Sequence, residues 1–128
     1  MPESDDQQLV NLLTEAVDGL LYMSESDYPF SVFLWHLPEP LTLQAVVAQA
    51  RMKKSTPASV IPWEQFIEPL LDPAQKTAER YQRVKALLTE HLEELQVFRL
   101  GKVEVNTYIV GKTGSGSQVG LSTKSIET

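Results

Sequence analysis

Glu25 and Asp27 stand two residues apart in the polar stretch Ser24-Glu25-Ser26-Asp27. In a loop, that spacing suits acid–base work or ligation of a hard cation such as Mg²⁺. Loops of acids and serines are also common surface turns, so the pair alone specifies no reaction. His36 and His91 are single and far apart, and neither has a second ligand at metal-binding spacing. His36 reads as a strand-end residue and His91 as the border of a helix stripe. Gly111-Lys112-Thr113 has the last letters of a phosphate loop, which needs a glycine at position 106, a strand before it and a helix after it. Position 106 is asparagine and a strand pattern follows, so the segment reads as a hairpin turn. Ser24, Ser26 and Ser122 lack the Gly-x-Ser-x-Gly elbow of a serine nucleophile. The basic residues around Tyr81-Gln82-Arg83 offer charge to a phosphate, but their pattern is that of a solvated helical face. The chain has no cysteine, which excludes a disulfide framework, a thiolate zinc site and a cysteine nucleophile.

These residues sit on a chain of 128 residues, the size of one domain with one core. Hydrophobic residues make up 42% and charged residues 22%, which excludes wholesale disorder and low-complexity arrays. The start is acidic and polar, without the basic and apolar regions of a secretory signal. No apolar run approaches the ~20 residues of a bilayer span. The expectation is a cytoplasmic, monomeric, single-domain protein spanning residues 1–128. Its charge is unevenly placed. The first fifty residues hold eight acids and no Lys or Arg, a charge of −8, whereas the remainder, with eleven bases against nine acids, carries +2. Such a half repels nucleic-acid phosphates and suits electrostatic steering toward a basic protein partner. The alternative is a solvated acidic face that keeps the protein soluble.

Periodicity supplies the elements that must hold these groups. Ser4 with Gln7 forms a capping-box pattern. Leu9, Val10, Leu12, Leu13, Ala16, Val17, Leu20 and Leu21 then follow at helical spacing, with Asp18-Gly19 as a stop. Residues 24–29 read as a loop and 30–36 as a strand. A second helix is expected over 41–52, with Thr42 as its N-cap. Residues 53–62, with two prolines, read as a loop, and 63–71 as a short helix. Asp72-Pro73-Ala74-Gln75 has the signature of a helix start, and the stripe Tyr81, Val84, Leu88, His91 or Leu92, and Leu95 carries that helix to about residue 95. The period then falls to two. Strands are expected over 96–100 and 103–110, a bend at Gly101, a Gly/Ser turn at 111–117, and a returning strand over 118–126. Helices first and strands clustered late make an α+β domain.

Two stretches are more distinctive than these patterns. One runs Asp18-Gly19-Leu20-Leu21-Tyr22-Met23-Ser24-Glu25-Ser26-Asp27-Tyr28-Pro29-Phe30 and on through Ser31-Val32-Phe33-Leu34-Trp35. The other runs Val97-Phe98-Arg99-Leu100-Gly101-Lys102-Val103-Glu104-Val105, then Tyr108-Ile109-Val110-Gly111-Lys112-Thr113, and ends Gly120-Leu121-Ser122-Thr123-Lys124-Ser125-Ile126-Glu127-Thr128. Both closely resemble the nuclease A inhibitor family of filamentous cyanobacteria, in the same order and at similar spacing, while residues 37–75 match poorly.

The resemblance implies a three-layer α/β/α sandwich with a mostly antiparallel sheet, of the pathogenesis-related-protein type. It also implies a cytoplasmic inhibitor, not an enzyme, of a sugar-nonspecific Mg²⁺-dependent DNA/RNA endonuclease of the ββα-metal class. No cofactor and no direct nucleic-acid or membrane contact are expected. By resemblance, Glu25, flanked by Ser24 and Asp27, approaches the nuclease's basic catalytic residue or the water shell of its metal. The terminal carboxylate of Thr128, preceded by Glu127, reaches the metal itself. Such carboxylates stand where phosphate oxygens would sit. One departure is visible. The family uses an Asp-Trp pair in the loop before the last long helix, and here that stretch is Leu70-Leu71-Asp72-Pro73. Trp63 does not match it and is expected in the core. Two other readings compete: an interaction module of the same fold with a different partner, and a small metal-dependent enzyme using Glu25 and Asp27.

Overall fold

The structure, a computed structural model, describes residues 5–22 and 26–127. Along the chain come α1 (Asp5–Val17), the short strands β1 (Leu21–Tyr22) and β2 (Tyr28–Pro29), and β3 (Ser31–Trp35). Next are α2 (Leu43–Gln49), β4 (Ala58–Pro62), and α3 (Trp63–Ile67), which tightens into a 3₁₀ turn over Glu68–Leu71. The order closes with α4 (Ala78–His91), β5 (Glu93–Leu100), β6 (Glu104–Lys112) and β7 (Gln118–Ile126). β1 and β2 form a two-stranded antiparallel sheet, and the other five strands form an antiparallel sheet in the order β3-β7-β6-β5-β4. The domain is α+β, as the pattern of periods implies.

Alternation along the long strands sends neighbouring side chains to opposite faces of the sheet. Val97, Ile109, Val119 and Leu121 point to one face, where they bury with Leu9, Leu13, Ala16 and Val17 of α1, Trp63 and Ile67 of α3, and Tyr81, Val84 and Leu88 of α4. Phe98, Leu100 and Val110 point to the other face and bury with Val46 and Val47 of α2. Thr42 caps α2, its hydroxyl accepting from the Ala45 amide at 3.1 Å. Trp63 is 7% exposed and belongs to the first cluster, as expected.

Two glycines are required by this packing. A Cβ at Gly120 would stand 1.9 Å from the Ile109 carbonyl oxygen and 2.8 Å from Cζ of Phe33. Gly101, at φ +116°, makes the β5–β6 turn, and a Cβ there would stand 2.1 Å from the Glu104 carbonyl. Gly120→Ala is therefore expected to destabilise the fold by about 2–3 kcal/mol, the upper range of overpacking. A urea midpoint that does not move would contradict the packing described.

Several boundaries differ from those the sequence suggests. Residues 53–62 are not all loop, because Ala58–Pro62 pairs with β5. β4 is an edge strand, where a proline costs no ladder bond. The last helix begins at Ala78 rather than after Asp72. Asp72 does cap, but caps a single turn: its carboxylate accepts from the Ala74 amide at 3.0 Å and its carbonyl from the Gln75 amide at 2.9 Å. The same helix stops at His91, with Leu92 extended. Leu92 and Leu95 keep helical spacing by coincidence and pack instead through β5, which opens with a register shift between Glu93 and Gln96. Tyr28 and Pro29, read as loop, pair with β1. Ser4 of the expected capping box lies outside the described residues.

Candidate functional site

The β1–β2 hairpin stem is anchored on both arms. Tyr81, buried on α4, donates its hydroxyl to the Leu21 carbonyl at 3.1 Å. Burial, then Tyr22, pushes the Tyr81 phenol up to about 12, so it remains a donor throughout the neutral range. On the other arm, the Thr123 hydroxyl of β7 donates to the Pro29 carbonyl at 3.0 Å. The Tyr22 ring stacks on Phe66, with centroids 5.6 Å apart, and meets Phe30 edge-on at 6.0 Å. Arg80 caps the end of α1, donating to the carbonyls of Ala16 at 2.9 Å and Asp18 at 2.5 Å. Of the basic residues on α4, this one is thus used by the fold. The stem is thus held on both arms, and Ser24 and Glu25 lie in sequence between its two strands.

The end of the chain is held beside that stem. The Glu127 amide donates to the Val103 carbonyl at 2.8 Å. The Glu127 carboxylate accepts from Arg99 Nη2 and, at 2.6 Å, from the Ser125 hydroxyl. Arg99 comes from β5 and crosses β6 to make this contact. The Arg99 hydrogen bond outweighs partial burial and, helped by Ser125, holds the Glu127 carboxyl below the usual glutamate range. Burial raises the Tyr22 phenol, with Arg99 opposing and Glu127 adding to the shift, so the stem's last described residue lies within the field of the chain end. Tyr22, Phe66, Leu70, Arg99, Ser125 and Glu127 together line a notch of about 260 Å³. The flank of the Glu25 loop and the residue preceding Thr128 therefore meet at one place on the surface.

A depressed carboxyl favours the folded state only while it is ionised. The contribution of Glu127 is present above about pH 4.5, its ordinary value, and is lost as pH falls through its lower folded value. Its size is bounded by the 32% and 40% side-chain exposure of the pair, which puts it at about 1 kcal/mol or less. Urea midpoints of the wild type and Glu127→Gln are thus expected to differ slightly at pH 7 and to converge at low pH. A difference that persists in acid would contradict this.

The expected site residues divide plainly. Asp27 is exposed, just before β2. Glu127 is engaged within the chain by Arg99 and Ser125. Ser24, Glu25 and Thr128 lie outside the described residues. The hairpin stem, Arg99 and Ser125 were not legible as site elements, because the Arg99–Glu127 contact joins residues 28 apart through an intervening strand and leaves no local signal; the alternation that puts Arg99 on the face of Thr107 and Thr123 was the nearest hint. β3 ends at Trp35, one residue before the expected strand-end His36, whose Nδ1 lies 3.0 Å from the Ser117 hydroxyl. Thr113 and Ser117 close the β6–β7 turn through a 2.9 Å backbone bond, so the Gly111-Lys112-Thr113 segment is a hairpin. A larger cleft, about 590 Å³, includes Glu39, Glu94, Lys112 and Gln118. Lys112 is paired there with Glu39 at 3.1 Å, which takes the charge an anion would need. Among the described residues no cluster of three or more His, Asp or Glu could hold a metal, and no helix is long and apolar enough to cross a membrane.

The class this architecture defines is a small α+β domain with an antiparallel five-stranded sheet, whose loop stem and chain end share a notch. A family model for nuclease A inhibitor-like proteins matches residues 7–128, nearly the whole chain, and the chain belongs to that family. Membership points to an inhibitor role with a nuclease as partner. No curated protein matches the chain.

Proposed function

We propose that this protein is a stoichiometric inhibitor of a Mg²⁺-dependent, sugar-nonspecific endonuclease of the ββα-metal class, blocking its active site with the Glu25 loop and the Thr128 carboxylate. The observation that carries the reading is the shared notch: Tyr22, at the root of the loop, and Glu127, next to the chain end, line one small concavity. Two carboxylates delivered from neighbouring segments can enter one pocket together. A nuclease active site offers a hard cation and cationic side chains, and a carboxylate oxygen is a ligand for both. A terminal carboxylate is ionised at any working pH. Ser24 and Asp27 flank the first contact, while Glu127 serves by fixing where the chain end departs.

The −8 charge of the first fifty residues supports the same reading, since it adds negative potential around the loop and steers a basic partner. Inhibition should then slow at high salt, because association is screened. Burial of Trp63 means that it does not replace the family's Asp-Trp pair, so this chain meets its nuclease without that aromatic anchor. Helices packed on both sheet faces support the α/β/α sandwich of pathogenesis-related-protein type. We read the free protein as a cytoplasmic monomer without catalytic activity.

The test is a titration of a ββα-metal endonuclease with this protein in Mg²⁺. Activity should fall in proportion to the protein added and vanish near one equivalent. Full activity at a large molar excess would reject the reading in favour of an interaction module with a different partner.

A further inference from the structure

We propose that Arg99 is a positioning residue for inhibition: through Glu127 it fixes where the chain leaves β7, in the notch that Tyr22 of the β1–β2 pair also lines. The inference rests on the reading that Thr128 contacts the nuclease, and adds the residue that aims it.

The geometry of the chain end carries this. Arg99 on β5 pairs in register with Thr107 on β6, which pairs with Thr123 on β7. Glu127 lies beyond the end of β7, two strands away from β5, and the Arg99 and Glu127 side chains meet across that gap. Arg99 ends on Oε2 of Glu127, the same oxygen that accepts from the Ser125 hydroxyl at 2.6 Å. The Glu127 amide is meanwhile tied to the Val103 carbonyl at 2.8 Å. The penultimate residue is thus held at side chain and backbone by three segments: β5, the β5–β6 turn and β7. Tyr22, from the hairpin stem, is the other titratable group that borders the pair across the notch.

Stability alone gives little reason for this investment. The pair is one-third to two-fifths exposed, and exposed ion pairs contribute little to folding. What the network does achieve is removal of conformational freedom from a chain end, which would otherwise have to be ordered on binding. Preorganisation of that kind strengthens association without adding a contact.

Two measurements on the intact protein decide it. The first needs no partner: release of Thr128 by a carboxypeptidase from the folded chain. Arg99→Gln and Glu127→Gln should accelerate release, and Arg99→Lys, which keeps a cationic donor, should restore most of the protection. Release rates unchanged in both glutamine variants would overturn the inference. The second is inhibition of the nuclease by Arg99→Gln, in the full chain and in a chain lacking Thr128. Residues in one ion-pair network couple, so Arg99→Gln should weaken inhibition by about tenfold in the full chain and by less than about twofold in the shortened one. Equal losses in both chains would show that Arg99 does not act through the terminus. If deleting Thr128 weakens inhibition but neither Arg99→Gln nor Glu127→Gln does, this inference falls and the proposed function stands. If deleting Thr128 changes nothing, this inference falls together with the role proposed for the chain end. Thermal midpoints of the variants, expected near that of the wild type, separate lost aim from lost fold.

Discussion

Deleting Thr128 is expected to weaken nuclease inhibition on the order of a hundredfold, which corresponds to about 2.7 kcal/mol, while the thermal midpoint stays close to that of the full chain. The deletion does not abolish the terminal carboxylate; it moves it. The new terminus is the main chain of Glu127, about 3.5 Å behind the old one, and tied back through its amide to Val103. Metal–oxygen contacts to Mg²⁺ are near 2.1 Å and tolerate little displacement, so a carboxylate one residue short cannot serve. Amidating the C-terminus of the full chain makes the complementary change, since it keeps the reach and removes the charge. Both should cost inhibition, and the amidated protein isolates the charge. Stability is expected to be spared because the Arg99–Glu127–Ser125 contacts are made by residues that the deletion keeps. An inhibition constant unaltered by both changes would reject the metal-directed role of the chain end.

Glu25→Ala is the second large effect, expected to weaken inhibition by about thirtyfold, roughly 2 kcal/mol, as for a charged contact at the centre of an interface. The loop is rooted in a stem fixed by Tyr81 on one arm and Thr123 on the other, so the substitution should leave the fold intact. Glu25→Gln should lose nearly as much as Glu25→Ala if charge rather than shape is recognised. Asp27→Ala should cost less, since Asp27 flanks the contact and is exposed in the free protein. Inhibition measured at rising salt should fall for the wild type through slower association. A Glu25→Ala protein as potent as the wild type would remove the loop from the interface.

The legible part of the fold was the part governed by local rules. Alternation over 103–110 followed by a Gly/Ser turn marked β7 as the returning partner, and its observed limits, Gln118–Ile126, coincide with the expected strand over 118–126. A threonine before an apolar stripe marked the start of α2, and its hydroxyl caps as expected. Elements fixed by tertiary pairing were not legible. β4 is a strand because β5 offers it a partner, although Pro57 and Pro62 argue locally for a loop. Leu92 and Leu95 continue the helical spacing of α4, yet the helix ends at His91 and β5 begins at Glu93, because pairing with β6 outweighs propensity. Asp72-Pro73 starts a turn of its own, six residues before the helix. The candidate site shows the same division. Glu25, Asp27 and the chain end stand out as residues, whereas the meeting of Tyr22, Arg99 and Glu127 in one notch depends on the strand order, which only the fold supplies.

The central claim is occupancy of a nuclease's substrate site, and competition tests it most directly. Calorimetric titration of the protein into a Mg²⁺-loaded ββα-metal endonuclease should show one-to-one binding, and the same titration with a saturating, hydrolysis-resistant oligonucleotide already bound should show that binding strongly suppressed. One-to-one binding of undiminished affinity on the oligonucleotide-filled enzyme would place the protein elsewhere on the nuclease and contradict the account.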